Sequence, residues 1–239
     1  MSADGRSAIL ERIRSASGQY AAAETRSPEA EWDLIARNYE VAGTLSPQSK
    51  LELLEDRLRG YDAEVTRVAH ADLPSAIEKA LRQRNEPTML VPQGLPTEWL
   101  PQTGSFTEDQ GFAPRELDTF DGVLTSATLA IAETGTLVLQ DVPGQGRRAA
   151  TLVPDFHLCV VRVEDIVQNV PEAFARLRGT ATLPTTFVSG PSATADIEMT
   201  RIKGVHGPRF LHVLIVINGP DHQQFDNDST AAESEEQWR

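Results

Sequence analysis

Three stretches of the chain, Thr136 to Leu139, HLCVVRV at 157–163 and LHVLIVI at 211–217, are apolar with almost no polar alternation. A strand with one wet face alternates apolar and polar side chains, so runs of this kind belong to strands covered on both faces. The chain must therefore build a sheet with a further layer on each side.

Helix signals fall between the strands. Ser46 and Pro47 fit the cap and first turn of a helix that carries Leu51, Leu54 and Leu58 on one face and stops at Gly60. AEVTRVA, a helix from Asp72 with Leu73, Ile77, Ala80 and Leu81 on one face, and TMLVP then spell β-α-β. A Pro- and Gly-rich passage from Pro92 to Pro114 leads into GVLTSATLAIAETGTLVLQD, whose end is the first buried strand. EDIVQNVPEAFARLR reads as a turn of helix, a break at Pro171 and a second helix with Pro171 near its start, and TTFVS at 185–189 reads as a strand. The alternation predicts one α/β domain over 46–218 with a mostly parallel sheet. Residues 1–45, with a short amphipathic helix (Ile9, Leu10, Ile13) and the polar stretch AAAETRSPEAEWDL, read as a helical, partly mobile segment, and 219–239 as an acidic mobile tail.

Composition excludes several classes. With 22 Lys and Arg against 35 Asp and Glu, the formal charge of −13 repels a phosphate backbone and argues against nucleic acid. No apolar run approaches the ~20 residues that cross a bilayer, and the N-terminus lacks a basic flank before an apolar signal core, so a cytoplasmic protein is expected. Cys159 is the only cysteine, which rules out a disulfide scaffold and a self-contained iron–sulfur cluster with its roughly four thiolates.

Four motifs could carry chemistry. Gly144, Gly146 and Ala149 match the dinucleotide pattern G-x-G-x-x-A, but Pro143 precedes them and RRAATLVP follows. That context reads as a hairpin connection and not as a helix start holding a pyrophosphate. Arg147 and Arg148 on this loop could bind an anion, although paired surface arginines more often meet local carboxylates. In Ala132-Glu133-Thr134-Gly135-Thr136 a carboxylate sits at a glycine turn before a buried strand, where spacing alone favours a turn residue over a nucleophile. Gly190, Pro191, Ser192, Thr194, Asp196 and Glu198 follow a strand and lead towards an expected short helix, where hydroxyls and N–H groups would welcome an anion. Gly204, His206 and Gly207 bend the chain before the last strand and leave His206 available as donor or acid/base. His157, His212 and Cys159, within strands, read as structural, and no His/Cys/carboxylate cluster suggests a metal.

IAETGTLVL (131–139), SGPSATADIE (189–198) and GVHGP followed by LHVLIVI (204–217), in that order, strongly resemble the LUD-domain family, typified by lactate utilization protein C; TLVPDFHLCVV (151–161) resembles the segment between its first two motifs. The resemblance implies a three-layer α/β/α domain like those of CoA transferases and ribose-phosphate isomerases. It also implies a part in converting L-lactate to pyruvate beside iron–sulfur partner proteins, with no cofactor on this chain. Glu133-Thr134-Gly135 resembles the Glu-Asn-Gly turn of CoA transferases, with Thr134 in place of Asn. On that basis Glu133 and His206 are the expected catalytic groups. Thr134, Gly135 and Thr136 join the residues of the 190–198 and 204–207 stretches around an anionic ligand. An autonomous acyl-transfer or sugar-phosphate-isomerising enzyme and a ligand-sensing scaffold remain alternatives. In α/β sheets such crevices lie at the carboxyl ends of strands; the 190–198 loop follows a strand, whereas Glu133 and His206 precede strands.

Overall fold

The computed structural model describes residues 3–16, 27–36, 40–195, 201–204 and 206–217, and divides into two compact units, 1–39 and 40–239. In the first unit, α1 (Ala3–Ala16) exposes Ile9, Leu10 and Ile13. The second helix, α2 (Pro28–Asp33), is capped by Ser27, whose Oγ accepts from the Ala30 N–H at 3.2 Å. No helix among the described residues is long and apolar enough to cross a membrane.

The second unit opens with α3 (Pro47–Gly60), whose Ser46 cap accepts from the Ser49 N–H at 3.1 Å. Ahead of the cap, the Gly43 N–H donates to Glu172 and the Leu45 N–H to Gln168, both at 2.8 Å. Next come β1 (Glu64–Ala69), α4 (Leu73–Arg82) and β2 (Thr88–Val91), the β-α-β unit read from the sequence. The Pro- and Gly-rich passage holds a strand the reading lacked, β3 (Ser105–Glu108), and is followed by the short α5 (Pro114–Leu117). With β4 (Gly122–Ser126), β7 (Phe156–Arg162) and β12 (Phe210–Ile217) these strands form a six-stranded sheet in the order β1-β12-β7-β4-β2-β3, parallel at every pairing.

The two faces of β7 and β12 explain the missing alternation. Cys159, Val161, Leu211, Val213 and Ile215 pack with Leu51, Leu54 and Leu58 of α3. Leu158, Val160, Leu214 and Val216 pack on the other side with Leu73, Ile77 and Leu81 of α4. Layers of helix on both faces of a mainly parallel sheet are the expected three-layer arrangement.

One layer is richer than expected. The run from Gly122 to Gln140 contains three strands, β4, β5 (Leu129–Ile131) and β6 (Thr136–Gln140), and only β4 belongs to the large sheet. With β8 (Ile166–Val167) and β9 (Thr185–Val188), β5 and β6 form a second sheet in the order β8-β5-β6-β9. Its inner face, with Ala130, Leu137 and Leu139, shares the core beside α3. Its outer face, with Leu129, Ile131 and Val138, is covered by Ala173 and Leu177 of α6 (Val170–Leu177). Both faces are buried again, so hydropathy gives no sign that the chain changes sheets between Ser126 and Leu129. The expected hairpin around Gly144 is likewise a crossover from β6 in one sheet to β7 in the other, and the expected turn of helix before Pro171 is a single 3-10 turn, Val163–Asp165, that leads directly into β8.

Leu54 sits on the α3 face that meets the sheet and is fully buried. Leu54→Ala is expected to cost about 2–5 kcal/mol of stability, read as a lower urea midpoint at unchanged slope.

Candidate functional site

β9 runs antiparallel to β6, with Leu137 opposite Val188, so the carboxyl end of β9 meets the Glu133 turn at the amino end of β6. Ser189 Oγ lies 2.7 Å from Thr136 Oγ1, which lies 2.7 Å from Thr134 Oγ1, an unbroken chain of hydroxyls. Beyond Ser189 the backbone turns at Gly190, where φ is +80° and a Cβ would come within 2.4 Å of Tyr61 Cβ. Only glycine fits there. Gly135 meets α3 in the same way, with φ +59° and Arg57 Cβ 2.7 Å from where a Cβ would sit.

Ser192 fastens the two loops together. Its N–H donates to Pro208 O at 2.8 Å, its carbonyl accepts from the Gly204 N–H at 3.0 Å, and its Oγ accepts from the His206 N–H at 3.0 Å. These bonds close one side of a solvent-open cavity of about 230 Å³, whose wall includes Gly190, Pro191, Ser192, His206, Gly207 and Pro208. Ser189, Phe187, Val188, Arg148, Thr151, His157 and Leu211 add further polar and apolar lining. His157 and Leu211 lie near the amino ends of β7 and β12, so the cavity sits at the end of the large sheet opposite the carboxyl-end crevice usual for such folds. The small sheet explains this placement: its antiparallel pairing brings a loop that follows β9 and a turn that precedes β6 to the same end.

Arg148 and His157 give the cavity its electrostatics. Arg148 Nη1 donates to the carbonyl and the hydroxyl of Thr151, both at 3.2 Å, and meets no carboxylate among the described residues. Neighbouring Arg147 is bound by Asp109 at 2.8 and 3.0 Å. Arg84 pairs with Glu64, Arg162 with Asp165 and Arg209 with Asp155. No Asp or Glu lines the cavity among the described residues. Burial presses the Arg148 pKa below its ordinary value, but a guanidinium stays charged at any physiological pH. His157 is buried, and burial together with the Arg148 charge pushes its pKa down to about 4, so the imidazole is neutral. Its Nε2 lies 2.8 Å from Thr125 Oγ1, which in turn donates to Cys159 Sγ at 3.7 Å. Burial pushes the Cys159 thiol up to about 12, leaving it inert as a thiolate ligand.

The expected site residues divide into three groups. Gly190, Pro191, Ser192, His206 and Gly207 share the cavity wall, and Gly204 is tied to it through Ser192. Glu133, Thr134, Gly135 and Thr136 do not line it; Thr134 and Thr136 reach its wall through the hydroxyl chain to Ser189. The Glu133 carboxylate accepts from Gln168 Nε2 at 3.0 Å, and its carbonyl accepts from Arg57 Nε at 3.3 Å. Thr194 lies in β10 (Ala193–Ala195), which pairs antiparallel with β11 (Arg201–Lys203) opposite Ile202, so a strand replaces the expected helix start. Asp196 and Glu198 lie outside the described residues.

Two residues absent from the expected set, Arg148 and His157, provide the cavity's charge and its neutral base. For Arg148 the signal was present in the Arg147-Arg148 pair. For His157 a place inside an apolar strand pointed to structure alone.

A layered α/β domain with a cavity between two fastened loops, lined by no acid among the described residues, is the class of protein defined here. The LUD domain model matches residues 78–216, more than half of the chain, and the chain belongs to that family. It is 45% identical over 181 residues to lactate utilization protein C of Deinococcus radiodurans, covering 74% of this chain and 84% of the relative. It is 36% identical over 90 residues to lactate utilization protein C of Shouchella clausii, covering 36% of this chain and 39% of that one. The crystal structure of a DUF162 family protein from Deinococcus radiodurans superposes with a TM-score of 0.64 at 39% identity, covering 73% of this chain and all of the other.

The depressed imidazoles make stability depend on pH in a defined window. Free in the unfolded chain, His157 takes up a proton near its ordinary 6.5, and folded only near 4, so the unfolded state binds more protons between those values. Burial lowers the His212 pKa as well. Stability is therefore full above about pH 6.5 and is lost as pH falls through the window towards 4, seen as a urea midpoint that drops from pH 7 to pH 5.

Proposed function

We propose that this chain is a non-redox accessory subunit of an L-lactate utilization system that converts lactate to pyruvate, with a pocket for a small anion. Its relatives in Deinococcus radiodurans and Shouchella clausii carry the name lactate utilization protein C, which supports the pathway. The anion pocket rests on one observation: Arg148 stands without a carboxylate, among the described residues, in a cavity that no Asp or Glu lines, on a chain with a formal charge of −13. A positive site that no carboxylate among the described residues lines, on so acidic a chain, is suited to an anion from solution.

The electron transfer of lactate oxidation is assigned to iron–sulfur proteins that act with this chain. Removing two electrons needs a redox centre, and a single buried cysteine with a thiol near pH 12 supplies no ligand set for a cluster. The place of Glu133 behind the cavity wall, held by Gln168, weighs against acyl transfer through that carboxylate. In this reading Arg148 binds the anion, the Ser192 hydroxyl donates to it, and His206 closes the mouth.

Affinity purification of the tagged chain from lysate of its native host is expected to bring down iron and acid-labile sulfide on other polypeptides, while the chain purified alone carries neither. Iron in stoichiometric amount on the isolated chain would contradict the assignment. Arg148→Gln is expected to slow growth on L-lactate severalfold and leave growth on pyruvate unchanged, with the variant folded by circular dichroism; equal growth on both carbon sources would remove the pocket from the function.

A further inference from the structure

We infer that the cavity selects small 2-hydroxy monocarboxylates, the carboxylate bound by Arg148 and the hydroxyl donating its proton to Nδ1 of His157. The inference rests on the reading of this cavity as an anion site and adds which anion it takes. A volume of about 230 Å³ lies below the ~300–1,000 Å³ of sites that enclose drug-sized ligands, so a molecule of a few heavy atoms fills it. A single cation among the described lining side chains favours a monoanion over phosphate. Apolar surface from Phe187, Pro208 and Leu211 suits a short alkyl group.

The hydroxyl specificity comes from the tautomer of His157. Thr125 Oγ1 donates to Cys159 Sγ, so it receives the hydrogen bond from His157 Nε2–H. A neutral imidazole with its proton on Nε2 presents a bare lone pair at Nδ1. That nitrogen makes no hydrogen bond with the described residues, and the imidazole, although buried, is among the side chains that line the cavity beside Arg148. A 2-hydroxy acid places a carboxylate and a hydroxyl donor on adjacent carbons and matches the pair. A 2-oxo acid offers Nδ1 a second acceptor, and an unsubstituted carboxylate offers it nothing; each leaves the imidazole unsatisfied. Binding forms and breaks no covalent bond.

Isothermal titration of the full-length chain with glycolate, L-lactate, D-lactate, pyruvate, propionate and inorganic phosphate tests this. The expected result is that 2-hydroxy acids bind at least tenfold more tightly than propionate, pyruvate or phosphate, and that Arg148→Gln abolishes the binding. In wild-type protein with ¹⁵N-labelled histidine, the Nδ1 resonance of His157 should shift upfield with lactate and not with propionate, a readout that needs no substitution in the core. Equal affinity for lactate, pyruvate and propionate, or a preference for phosphate, would overturn the hydroxyl selection and leave the anion site standing. Binding of none of them would overturn the selection and the anion pocket together, while co-purification with iron–sulfur proteins judges the accessory role separately.

Discussion

The parallel pairing of β7 with β12, buried on both faces, is the constraint on which the other features depend. From Leu158 to Val161 and from Val213 to Ile217 this pair touches only core, so a polar side chain on it must find a partner or an opening. His212 finds Thr66, with Nε2 3.0 Å from Oγ1, while its Nδ1 stays buried and unbonded, 3.6 Å from Glu64. His157 finds Thr125 on one side and the cavity on the other. The two histidines occupy neighbouring strands near the same end of the sheet and are both buried, and His157 is the one among the residues that line the cavity.

What opens that space is the second sheet. Because β6 and β9 are antiparallel, residues far apart in sequence converge: Thr136 bonds Ser189, and Gly135 and Gly190 both press against α3 or the residue just after it. Ser192 then draws the 204–208 loop over the amino end of β12 through three backbone-anchored hydrogen bonds. Glu172 steadies the same layer from outside. Burial acts to raise its pKa, but the N–H groups of Gly43, Gln168 and Asn169, with Lys50 nearby, outweigh burial and hold the carboxyl below its ordinary value. The site is thus a product of two sheets meeting, not of loops on one sheet.

That origin explains what could be read from the sequence. Helix α3, with its Ser46 cap and Leu51, Leu54 and Leu58 face, and the doubly buried strands β6, β7 and β12 were legible because burial and capping leave local patterns. The change of sheet after Ser126 was not, since strands buried on both faces look alike whichever sheet they join. The loops carrying Gly190, Ser192 and His206 were legible as a group through family resemblance, while the step from Glu133 to the cavity wall depends on two hydroxyl contacts that spacing does not encode. The helix expected after Ser192 failed for a related reason: a residue type suited to a helix cap is equally suited to stapling a loop, and β10 pairs with β11 instead.

Arg147 and Arg148 show how far identical residues can diverge. They are adjacent and chemically the same, but Asp109 neutralises one and the cavity receives the other. The formal charge of −13 repels an approaching anion at a distance, and at 0.1 M salt that repulsion is screened beyond about 10 Å. Inside that range the contest is local, and under the proposed reading it is decided by a wall that no carboxylate among the described residues lines. For the proposed anion, attraction would have to come from the local geometry of one guanidinium, one seryl hydroxyl and one neutral imidazole, and not from the field of the whole chain. A site built this way discriminates by shape and by the pattern of donors and acceptors, since charge alone draws no anion to this surface.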